Sequence, residues 1–76
     1  MKPSAITKYS LDRNPHLMGL LIVIAATPAG NWIAPVNEGR LGKEPSRLEH
    51  VIPFIEAWTP VPRWMRAHEL AESLYA

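Results

Sequence analysis

The run Leu-Leu-Ile-Val-Ile at residues 20–24 constrains this chain most, because it is apolar at every position. Its β-branched and aliphatic side chains favour a β-strand. Successive side chains of a strand point to opposite faces of a sheet, so this strand is apolar on both faces. Such a strand is normally covered on both faces, because burying each large apolar side chain contributes roughly 1.5–3 kcal/mol.

The residues that follow this run predict a β-hairpin. The sequence Thr-Pro-Ala-Gly at 27–30 places proline at the second turn position and glycine where a left-handed residue closes a three-residue loop. A second apolar segment follows, in which Pro35 lacks an N–H and therefore suits an edge strand. We expect strands over about 19–27 and 31–36, with the first of them central in the sheet.

Two other environments for this segment stay open. No Asp, Glu, Lys or Arg lies between Asn14 and Val36, a window as long as a transmembrane helix of about 20 residues. Pro28 and Gly30 interrupt it, which favours the hairpin over a small membrane-associated subunit. The charged start and the small residues before Gly30 also imitate a signal peptide.

The absence of cysteine fits a reducing compartment, and we expect a cytoplasmic protein.

An N-terminal strand is expected over about 5–11, where apolar and polar residues partly alternate. Tyr9 and Leu11 fall on one side of this strand, and Lys8 and Ser10 fall on the other. It would pair with the free side of the central strand, which makes a three-stranded sheet the alternative to a lone hairpin.

Two short helices complete the predicted fold. Ser46 and Glu49 match a capping box at the start of a helix over about 47–57, which Pro53 kinks or ends early. A second helix is expected over about 62–75, where the following apolar residues recur at helical spacing: Trp64, Ala67, Leu70, Ala71, Leu74 and Tyr75. The 76 residues therefore predict one small α+β domain, 1–76, in which a hairpin or three-stranded antiparallel sheet packs with two helices.

Residues with catalytic or metal-binding chemistry are scattered along the sequence. His68 and Glu72 are four residues apart on the second predicted helix, and zinc needs three or four protein ligands. No serine lies in a nucleophile-elbow pattern, and no pair of carboxylates stands out for acid–base catalysis. We therefore expect a non-enzymatic protein without a metal or cofactor.

The leading hypothesis is a protein-interaction module, such as an adaptor, an inhibitor or an assembly subunit. The two predicted helices provide enough material to cover one face of the sheet, so we expect the other face to bind a partner protein or a second copy; the alternative is that the N-terminal segment folds back and covers it. The expected contact residues are Leu21, Val23, Trp32, Ile33 and Trp58.

A nucleic-acid-binding module is the alternative hypothesis. Basic residues cluster in the loop before the first predicted helix and around Trp64 at the start of the second, where an aromatic ring could stack on a base. The residues concerned are Arg40, Lys43, Arg47, Arg63 and Arg66. The net charge of the chain is only +1, which argues against a dominant nucleic-acid footprint.

Overall fold

The apolar run at residues 20–24 lies inside the second strand of a four-stranded antiparallel sheet. The computed structural model describes residues 2–13, 20–37 and 48–75. Its elements are β1 (Lys8–Arg13), β2 (Leu20–Thr27), β3 (Gly30–Asn37), α1 (Leu48–Val51), a 3-10 helix (Ile52–Phe54), β4 (Thr59–Pro60) and α2 (Ala67–Tyr75). The strands follow the order β1-β2-β3-β4, which confirms the α+β prediction with four strands in place of three.

The hairpin forms with a tighter loop than the sequence predicts. Thr27 pairs directly with Gly30, so only Pro28 and Ala29 lie between the strands. The hydroxyl of Thr27 accepts a hydrogen bond from the amide of Ala29 at 3.2 Å and donates one to the carbonyl of Gly30 at 2.7 Å. Gly30 has a φ of +130°, a backbone conformation that favours glycine. The loop therefore depends on Thr27 and Gly30 for its geometry.

Pro35 explains why β4 is only two residues long. The amide of Val61 donates to the carbonyl of Asn31 at 2.8 Å, so Asn31 faces the β4 side of its strand. Alternate residues of an antiparallel strand face the same neighbour, which places Ile33 and Pro35 on that side as well. Ile33 pairs with Thr59, but Pro35 has no N–H to donate, and the pairing ends before it. The edge-strand prediction is therefore wrong for β3 as a whole, which pairs with β4 at Trp32 and Ile33, while Pro35 lies beyond that pairing.

One face of the sheet, the α1 face, is covered by the segment from Leu48 to Trp58. Leu21, Val23 and Ala25 of β2 point toward this segment. The segment contributes Leu48 from α1 and, from the chain after the 3-10 helix, Ile55 and Trp58; all three are buried against the sheet. Tyr9 and Leu11 of β1 also pack here, while Lys8 and Ser10 are exposed, which agrees with the predicted sides of that strand.

The opposite face of the sheet, the α2 face, is covered by the C-terminal helix. Ile22 of β2 and Ile33 of β3 pack against Ala71 of α2, and all three side chains are at most 1% exposed. Half-buried apolar residues surround them: Leu20, Ile24, Val61, Ala67, Leu70 and Tyr75. Both faces of β2 are thus covered by the chain's own residues. The expectation that one face stays uncovered is wrong, because the segment from Leu48 to Trp58 packs on one face and α2 packs on the other.

Both helices are shorter than the sequence predicts. The first, expected over 47–57, ends as a 3-10 helix at Phe54, since Pro53 cannot donate a helical hydrogen bond. Residues 55–58 follow without regular secondary structure, beginning with Ile55 in an extended conformation. The second, expected over 62–75, begins only at Ala67. The amide of Met65 donates to the carbonyl of Pro62, so residues 62–65 form a turn before the helix.

Two neighbouring residues of β2 test whether each face is covered. Leu21→Ala and Ile22→Ala should each lower the free energy of unfolding by roughly 2–5 kcal/mol, because each leaves a cavity under a different layer. Leu74→Ala, at a position about half exposed, is the control and should change it by about 0.5 kcal/mol or less. Urea denaturation measures all three, and a small effect at either core position would show that its face is not covered.

The hairpin loop gives a second test of the fold. Gly30→Ala should destabilise the protein by roughly 1–3 kcal/mol, because a side chain there disfavours the backbone conformation although no atom lies within 4 Å of the added carbon. Ala29→Gly, in the same loop but outside the positive-φ region, should cost no more than about 1 kcal/mol. Thermal unfolding that leaves Gly30→Ala as stable as the wild type would contradict this account.

Candidate interaction surface

Most of the apolar residues that the sequence assigns to partner binding lie inside the fold. Val23 and Ile33 are 0% exposed, and Leu21 and Trp58 are buried beside them in the two core layers. Trp32 is half-buried and packs against the core of the α1 face. The four buried side chains therefore contribute to the stability of the fold and are not available to contact a partner. The sequence pattern identified these residues as apolar, but it did not show which layer covers them.

The predicted basic residues divide into two groups. Arg40, Lys43 and Arg47 lie outside the described residues. Arg63 and Arg66 are exposed in the connection between β4 and α2. Only this second group is placed by the structure.

Trp64, between these two arginines, is 80% exposed. The sequence places it on the buried stripe of a helix beginning at residue 62, but α2 begins at Ala67. Helical spacing therefore does not apply to Trp64, which lies in the turn at residues 62–65. Pro60 precedes the predicted helix and Pro62 fits its first turn, so neither proline signals the late start at Ala67. The helical pattern assigns this indole to the core, although the nucleic-acid hypothesis groups it with Arg63 and Arg66.

A shallow depression of about 170 Å³ lies beside the turn. The backbone hydrogen bond from Val61 to Asn31 holds the connection against the start of β3. The residues that line the depression are Gly30, Asn31, Val61, Pro62, Arg63 and Met65. We call Arg63, Trp64 and Arg66, together with this depression, the Trp64 surface.

The charges of the Trp64 surface are positive. Among the residues that the structure describes, no hydrogen bond or ion pair holds the guanidinium of Arg63 or Arg66. Glu69 is exposed three residues after Arg66, on the first turn of α2. The surface therefore combines one large aromatic ring, two available cations and a single nearby carboxylate.

Tyr9 is the titratable group whose environment is most altered in the described part of the chain. Desolvation raises the pKa of its hydroxyl, and a hydrogen bond to the Glu49 carboxylate and the charge of that carboxylate raise it further. The pair joins β1 to α1 on the α1 face. We interpret the pair of Tyr9 and Glu49 as a structural contact between β1 and α1.

Searches for other kinds of site among the described residues give two results. Residues 2–13, 20–37 and 48–75 contain no group of three or more His, Asp or Glu side chains that could hold a metal ion. Within those same ranges, no helix has the length and apolar character needed to cross a membrane.

Comparisons with protein-family models, with curated proteins and with solved structures find no match for this chain.

The contact between Tyr9 and Glu49 predicts a measurable titration. The chain has two tyrosines, so in a Tyr75→Phe background only Tyr9 contributes tyrosinate absorbance. Its pKa should lie above 10.0, and Glu49→Gln should lower it part of the way, since desolvation, the first cause, remains. The contribution of the neutral Tyr9 hydroxyl to the free energy of unfolding is fully present below about pH 10. It is lost as the pH rises through the pKa of Tyr9 in the folded protein. Titration at or below 10.0 would show that the contact does not form.

Proposed function

We propose that this chain is a non-enzymatic protein-interaction module that binds a partner protein through the Trp64 surface. The observation that supports this proposal is the 80% exposure of Trp64 in a chain that buries large apolar side chains on both faces of its sheet. Leaving an indole in water forgoes the hydrophobic free energy that burial would release. A partner that covers Trp64 recovers that free energy on binding.

The composition of the surface supports a protein partner. Tryptophan and arginine are both enriched among the few residues that dominate the binding energy of protein interfaces. Here Arg63 and Trp64 are exposed in the four-residue turn at 62–65, and Arg66 is exposed directly after it. The adjoining depression is shallow and open, whereas a small-molecule site usually encloses most of its ligand. A flat aromatic and cationic surface of this kind is better suited to docking against another macromolecule.

The location of this surface differs from the one the sequence predicts. The sequence assigns binding to an apolar face of the sheet, but both faces are covered by the chain itself. The same general function is proposed here for a different part of the molecule. Trp64 follows β4 and precedes α2, so a partner could contact it without separating either core layer.

A nucleic-acid-binding module is the second candidate, and the same two arginines favour it. Aromatic rings flanked by cations are platforms for unstacked bases. The candidate differs from the first in its response to salt, because each phosphate contact makes the affinity fall steeply with ionic strength.

Trp64→Ala tests the proposed function directly. The variant should keep the unfolding free energy of the wild type within about 0.5 kcal/mol, because the side chain is exposed. It should lose the partner, since truncating an interface hot spot costs about 2 kcal/mol or more, or roughly thirtyfold in affinity. The measurement is affinity purification of the tagged full chain from its own cells after nuclease treatment.

Phe54→Ala is the matched control, because Phe54 is 74% exposed but belongs to the 3-10 helix over the α1 face. It should retain the same partner as the wild type. If Trp64→Ala also retained every co-purifying protein, the proposed function would be wrong. If nuclease treatment alone removed the bound material, the nucleic-acid candidate would take its place.

A further inference from the structure

We infer that the Trp64 surface binds an acidic segment of its partner protein. The segment would place Asp or Glu carboxylates against Arg63 and Arg66 and an apolar side chain against Trp64 or in the depression beside it. This inference rests on the proposed function and specifies the chemistry of the partner.

Charge complementarity is the main argument. Arg63 and Arg66 are three residues apart on either side of Trp64, both are exposed, and no described residue neutralises them. A guanidinium presents its N–H donors in a fixed planar fork that matches the two oxygens of a carboxylate. Acidic residues of the partner would therefore be attracted by charge and would also form well-aligned hydrogen bonds to the guanidinium groups. A basic segment would be repelled.

The depression supplies the apolar part of the contact. It is open to solvent and has a volume of about 170 Å³. Val61, Pro62 and Met65 contribute apolar wall, and Arg63 stands at its side. One apolar side chain of the partner can enter it while a neighbouring carboxylate reaches the guanidinium.

A second copy of this chain fits the surface poorly. Most dimers form around a two-fold axis, and in such a dimer both copies use the same surface patch to contact each other. Contact between two Trp64 surfaces would bring four arginines together with two exposed Glu69 side chains. Like charges placed opposite each other disfavour that assembly.

A nucleic-acid strand also fits less well than an acidic peptide. Its backbone carries a charge at every nucleotide, while the described part of this surface offers two cations and then Glu69 on the first turn of α2. A peptide can place carboxylates opposite the arginines alone and uncharged residues opposite Glu69. The near-neutral balance of the whole chain, at +1, favours the same choice.

The test is selection from a displayed library of random linear peptides on the purified full-length chain. The selected peptides should be enriched in Asp and Glu around an apolar residue, and the tightest of them should lose at least about tenfold in affinity for Trp64→Ala. The double variant R63E/R66E should weaken binding at least as much and should select basic peptides in place of acidic ones. Titration with fluorescent peptide measures the affinities.

The variant K2E/K8E is the matched control, because it reverses two exposed lysines elsewhere in the chain. It should select the same acidic peptides as the wild type. Selected peptides without acidic enrichment, or no peptide that depends on Trp64, would overturn the inference. Tighter binding of single-stranded oligothymidylate than of any selected peptide would overturn it in favour of nucleic acid. If Trp64→Ala loses its cellular partner while the library shows no acidic preference, the proposed function stands and this inference alone fails.

Discussion

The burial of β2 on both faces is the constraint on which the rest of the structure depends. Its odd-numbered side chains pack under the segment from Leu48 to Trp58, and its even-numbered ones pack under α2. A chain of 76 residues has little material for two covering layers. It succeeds because the layer on the α1 face is thin: a single helical turn, a 3-10 helix and extended chain ending in the indole of Trp58.

Prolines set the ends of the elements and thereby place the Trp64 surface. Pro35 ends the pairing of β3 with β4, and Pro53 ends the first helix early enough for extended chain to follow. Pro60 and Pro62 surround Val61, which packs on the α2 face, and the turn after them delays α2 until Ala67. Trp64 is left outside both core layers, with an arginine on each side. The candidate site is thus a consequence of the same residues that limit element length.

The sequence predicted the sheet well and the helices less well. The hairpin followed from two local signals that agree, an apolar run and a proline–glycine turn, and the side assignments of Tyr9 and Lys8 followed from simple alternation. The starting point of α2 was predicted wrongly because helical spacing continues back to Trp64 by coincidence. Periodicity identifies residues that would share a face if a helix were present, but it does not establish where the helix begins. That error placed Trp64 in the predicted core, although the nucleic-acid hypothesis treated it as a surface residue.

The sequence by itself determined the fold class, the central position of β2 and the need to cover both of its faces, because strand propensity, turn chemistry and side-chain alternation are properties of a few neighbouring residues. Tertiary structure alone decided what covers those faces and which tryptophan remains exposed. Those outcomes depend on the contacts that residues 48–75 make with strands more than 10 positions away along the chain. Such long-range packing leaves no periodic signature in the sequence, so the exposure of Trp64 beside Arg63 and Arg66 could be established only once the layers were in place.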